Sequence, residues 1–112
     1  MTAGTSLRRL LDDALARAGT EVGKPLEWSE IEHAAIDAAV ATADRAEALR
    51  LRFDTLLADE DTADTLLVKI SSELRLCDKQ VVDLVGRIEI GVGASKSDRH
   101  VRAALARWNR TG

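Results

Sequence analysis

Aromatic residues, proline and cysteine are all scarce in this chain of 112 residues: two Trp, one Phe, one Pro and one Cys. A lone cysteine, Cys77, excludes an intrachain disulfide framework, and in apolar company a free thiol acts as a small hydrophobe rather than a nucleophile. One proline, few β-branched runs and abundant alanine favour helix over sheet. There is no charged-then-apolar leader and no hydrophobic run of membrane-spanning length, so the expectation is a cytoplasmic protein without a membrane partner.

Catalytic and cofactor signatures are missing too. His33 and His100, the only histidines, form no metal-ligand spacing with Cys77, so neither a metal nor another cofactor is expected. The stretch Gly91-Val-Gly-Ala-Ser-Lys-Ser97 superficially resembles a phosphate-binding loop, but Ser95 stands where a glycine must let the backbone curl around phosphate. No Gly-x-Ser-x-Gly elbow occurs, and the carboxylates are scattered along helix faces rather than paired. Nothing assembles a nucleophile, a base and an oxyanion site, so the expectation is not an enzyme.

What is present is helical periodicity. Leu67, Ile70, Leu74, Cys77, Val81, Leu84 and Ile88 alternate in steps of three and four, a heptad seam of coiled-coil type inside a helix predicted over 62–88. Such a helix is about 40 Å long and needs a partner along its length. Leu7, Leu10, Leu11, Ala14, Leu15 and Ala18 mark an earlier amphipathic helix, opened by Ser6 and stopped by Gly19, with Arg8, Arg9 and Arg17 off its stripe. After a linker at 20–27, Ser29 and Glu32 form a capping box for a helix over 29–58. Its working face reads Trp28, Ile31, Ala35, Ala39, Thr42, Ala46, Leu49, Phe53 and Leu56.

The acidic run Asp59, Glu60, Asp61 is a solvated turn, with Asp61 or Thr62 as the next cap. So short a connection makes the two long helices antiparallel neighbours. Leu66, Leu76, Val82 and Val85 lie off the seam and widen the apolar surface, a signal for subunit packing. The predicted fold class is therefore all-α. A short N-terminal helix lies on a long antiparallel hairpin, residues 1–93 forming an oligomerisation domain and residues 94–112 a hinged basic helix.

Charge divides the same way. Up to Gly93 eleven Lys and Arg face eighteen Asp and Glu, a net −7, whereas from Ala94 onward five face one, a net +4. On a helical wheel Lys96, Arg99, His100, Arg107 and Arg110 share one arc, flanked by Arg102, opposite Val101, Ala104, Leu105 and Trp108. A basic amphipathic segment of this kind suits an acidic partner: DNA, anionic lipid or an acidic protein patch. A helical interaction or regulatory adaptor module, antitoxin-like, is the alternative such a layout allows.

From Leu26 onward the sequence resembles the small terminase subunits of tailed phages that infect actinobacteria. The resemblance rests on Leu26-Glu-Trp-Ser-Glu-Ile-Glu32, Ala43-Asp-Arg45, Lys69-Ile-Ser-Ser-Glu-Leu-Arg75, Lys96-Ser-Asp-Arg-His100 and Arg102-Ala-Ala-Leu-Ala-Arg-Trp108. It implies a non-enzymatic genome-packaging component that forms a homo-oligomer, often a ring, through a helical hairpin. Such a component binds double-stranded viral DNA and presents it to the large terminase subunit, the ATPase and nuclease, in the host cytoplasm. Many members begin with a helix-turn-helix domain, for which the segment before Leu26 is too short. On that reading Lys96, Arg99, His100, Arg102, Arg107 and Arg110 contact DNA or the large subunit.

Overall fold

The structure, a computed structural model, describes residues 1–88. They form three helices, α1 (Ala3–Val22), α2 (Glu30–Leu57) and α3 (Asp64–Gly86), in a body of 58 × 22 × 22 Å. The predicted all-α class and its antiparallel hairpin are both present.

Local chemistry sets most boundaries. Thr2 caps α1, its hydroxyl accepting from the Thr5 amide, so the helix begins three residues before the expected Ser6. It also runs past Gly19. The stop is Gly23, whose φ of 76° is the left-handed conformation glycine adopts without steric cost. The Lys24 amide donates to the Gly19 carbonyl and the Gly23 amide to the Thr20 carbonyl, a Schellman closure. Gly19 has a different job, because a Cβ there would stand 2.9 Å from the Lys24 carbonyl oxygen. It lets the chain fold back tightly against the helix it has just left.

Ser29 and Glu32 make the expected capping box, each side chain bonding the other's backbone amide. The α2–α3 turn differs from expectation. Neither Asp61 nor Thr62 caps α3; its cap position is Ala63, which has no capping side chain. Asp59 instead accepts from the Asp61 amide within the turn, and Asp64 places negative charge in the first turn of α3.

Contacts from α1 to α2 and the residue leading into it descend one helix as they climb the other: Gly4 to Asp44, Arg8 to Asp37, and Asp12 to Trp28 just before the α2 cap. The two are therefore antiparallel, and Arg50 to Asp78 links α2 to α3 across the second hairpin. Leu7, Leu11, Ile36, Val81 and Val85 are fully buried and join Ala14, Ala18, Ala39, Ala43 and Ile88 in one cluster drawn from all three helices.

Two apolar faces of α2 serve two partners. The expected arc through Ala39, Thr42, Ala46, Leu49 and Phe53 looks toward α3. Ile36, Val40 and Ala43, roughly 110° round the wheel at 100° per residue, look toward α1. Ile31 lies on the α3 arc yet is 84% exposed, because α3 ends at Gly86 before reaching its level. Val85, expected off the seam, is fully buried within the cluster drawn from all three helices. Beyond the reach of α1, the distal half of the hairpin is only two helices thick. There Leu49, Phe53, Leu56, Leu67 and Leu74 are half-buried.

Candidate interaction surfaces

The heptad seam is the inner surface of the hairpin. Ile70, Cys77, Val81 and Ile88 are buried, and Leu67, Leu74 and Leu84 are half-covered. Alanines on the α3-facing arc of α2 admit this close approach, with Ala39 and Ala46 wholly inaccessible. Cys77 is a buried thiol packed as a core residue. The seam's partner is thus α2 of the same chain. Surfaces for other molecules must be sought on the outer faces, where Leu51, Leu57, Val68 and Leu76 are more than half exposed and Leu66 and Val82 about two-fifths.

The N-terminal end of α1 is tied down by tertiary caps. The Glu47 carboxylate accepts from the Ala3 amide at 3.0 Å and the Asp44 carboxylate from the Gly4 amide at 2.8 Å. Free amides at a helix start carry partial positive charge, so carboxylates projected from a neighbouring helix stabilise them. Gly4 is essential to this approach: a Cβ there would lie 2.5 Å from the Val40 carbonyl oxygen. Sequence reasoning missed all three residues, because Asp44 and Glu47 resemble any solvated acids and only the fold sets Gly4 against α2.

Two of the body's eleven cations are paired with neighbouring carboxylates. Arg8 pairs with Asp37 at 2.6 Å and Arg50 with Asp78 at 2.7 Å. Arg9 and Arg17 are exposed but lie on different sides of α1 from Arg8, so the three do not form one basic face. Lys96, Arg99, His100, Arg102, Arg107 and Arg110, the expected DNA- or large-subunit-binding residues, lie outside the described residues.

A cleft of about 800 Å³ opens beside the α1–α2 connection, over Leu15, Gly19, Leu26 and Trp28, with Asp12, Lys24, Glu27 and His33 at its rim. Its tryptophan is already committed, the indole N–H donating to Asp12 at 3.1 Å and pinning the connection to α1. Thr20 donates its hydroxyl to the Ala16 carbonyl. The second carboxylate oxygen of Glu32 is buried with no hydrogen-bond partner among the described residues. Also among the described residues, no three His, Cys, Asp or Glu side chains are grouped to hold a metal ion, and no helix is long and apolar enough to cross a membrane.

No family model matches the chain, and neither does any curated protein or solved structure. The functional reading therefore stands on charge, exposed surface and the resemblance carried by the residues quoted above.

Proposed function

We propose that this chain is a small terminase subunit of phage type, a non-enzymatic packaging component. It self-associates, holds double-stranded DNA through its basic C-terminal segment and passes that DNA to the large terminase subunit. The observation that carries the reading is the segregation of charge. Residues 1–88 hold eleven Lys and Arg against seventeen Asp and Glu, and Arg8 and Arg50 are already paired with Asp37 and Asp78. An acidic body repels DNA, which leaves contact to the cationic segment around Lys96–Arg110.

One segment of net +4 grips DNA weakly and with strong salt dependence, since each neutralised phosphate contributes a slope of roughly −0.9 in log K against log salt. Several copies on one assembly multiply that grip through effective concentration. The experiment is a duplex-DNA shift assay on the full chain and on a chain lacking residues 94–112. Loss of retention on deletion supports the reading, whereas unchanged retention removes the segment from DNA binding. Crosslinking in the presence of both duplex DNA and the large subunit then distinguishes a DNA contact from a large-subunit contact.

A further inference from the structure

The third helix stops short of the end of the body at which α2 begins. The Arg50–Asp78 contact sets the level of α3 on α2: Ile88, ten residues past Asp78, stands about level with Val40, ten before Arg50. α2 runs back ten residues further, to Glu30, so about 15 Å of its α3-facing side has no α3 beside it. That vacated track carries Ile31, 84% exposed, and half-buried Ala35. Asp37 stands opposite the α3 arc on the wheel, so its partner Arg8 marks the side of α1 away from α3, and half-buried Leu10, on the other side of α1, borders the track. The charges beside it are Glu32 on α2 and Asp13, Arg17 and Glu21 on α1, three acids against one base, a net −2.

Glu32 gives an independent sign of what belongs there. One of its oxygens completes the cap at Ser29; the other is buried with no hydrogen-bond partner among the described residues. A buried carboxylate oxygen is costly unless a donor meets it. The fitting occupant is apolar toward Ile31 and Ala35 and cationic at its edge.

We propose that the track seats the chain's own C-terminal segment through the arc of Val101, Ala104, Leu105 and Trp108, with a flanking cation on Glu32. Ile88, the last described residue, is 3% exposed in the cluster that holds Ile36, one turn from Glu32, so the chain continues from the inner end of the track. The thirteen residues from Ile88 to Val101 reach up to about 40 Å extended, and Val101–Trp108 at helical rise covers about 10 Å of the track. Seated so, the opposite arc of Lys96, Arg99, His100, Arg107 and Arg110 is turned outward. The seat does not depend on what the segment binds; its consequence, a cationic arc presented on a firm body, rests on the DNA reading above.

The test reads Trp108 on the full chain without DNA. Trp28→Phe leaves Trp108 the sole tryptophan, and subtracting the Trp108→Phe spectrum from that of the parent isolates it with the Trp28–Asp12 bond intact. Trp108 should emit at short wavelength and resist acrylamide. Ile31→Lys, which replaces an exposed side chain outside the core, should raise quenching roughly threefold. Glu32→Gln keeps the capping box, because an amide oxygen serves there as well, yet removes the charge and should raise quenching too. A Trp108 already open to quencher in the parent, or quenching unmoved by Ile31→Lys, overturns the seat; no change with Glu32→Gln overturns the pairing of that carboxylate. Protection that grows with protein concentration gives the track to a neighbour's segment and overturns the intrachain contact. Failure of the seat is thus read separately from failure to hold DNA.

Discussion

Gly4→Ala is the sharpest test of how α1 is attached. Considered as helix propensity alone, the change should stabilise, because alanine in a helix is better than glycine by about 1 kcal/mol. The structure reverses the sign. The new methyl would stand 2.5 Å from the Val40 carbonyl oxygen and 2.8 Å from the Asp44 carboxylate, about 0.9 Å short of ordinary contact at 3.4 Å. The carbonyl belongs to the interior of α2 and cannot rotate away, so α1 must lift. Overpacking of this kind costs about 1–3 kcal/mol. Lifting also stretches the bonds from the Ala3 and Gly4 amides to carboxylates, each of a class worth about 1.5–3 kcal/mol. With the propensity gain subtracted, a net loss of about 1–4 kcal/mol is expected. Gly86→Ala is the internal control: nothing lies within 4 Å of a Cβ there, so the same change should be neutral or stabilising by up to about 1 kcal/mol. Urea melts followed by far-UV circular dichroism measure both. A Gly4→Ala protein as stable as the parent, or the two variants shifting together, would refute the close α1–α2 approach.

Further outcomes follow from the same packing. Ile36→Ala should cost about 3–5 kcal/mol, since the side chain is fully buried in the central cluster, whereas half-covered Leu74→Ala should fall at or below the low end of the usual 2–5 kcal/mol; equal losses in a denaturant melt would contradict the two-layer distal hairpin. Ser29→Ala should remove about 1 kcal/mol by opening the capping box, and a change under about 0.3 kcal/mol would show that the cap does not hold α2. Breaking Arg8–Asp37 by Asp37→Ala should change stability by no more than about 1 kcal/mol, because both side chains face solvent; a larger loss would reveal a role beyond the ion pair.

Where local chemistry is sufficient, the sequence was legible. The capping box at Ser29 and Glu32, the breadth of α2, the break before α3 and the seam from Leu67 to Ile88 all follow from short-range spacing. The boundaries that differ from expectation are local too: Thr2, not Ser6, opens α1, and Gly23, not Gly19, stops it. Two glycines four residues apart are equivalent in pattern, and only the fold-back onto the Lys24 carbonyl tells them apart. The expected DNA- or large-subunit-binding residues, from Lys96 to Arg110, rest on charge and wheel position and lie outside the described residues.

By itself the amino-acid order determined that this protein is helical, where its hairpin turns, and how its charge is divided. Those properties depend on residues within a turn or two of one another, on caps and on a period that repeats along one strand of chain. Only the tertiary structure decided that Ile36 and Ala43 form a second buried face and that Val85 is core. The same holds for Asp44 and Glu47, which cap a helix forty residues away, and for Gly4, which must be bare. The reason is geometric: periodicity specifies a face on one helix, but which neighbours crowd that face depends on lateral distances that no single helix encodes.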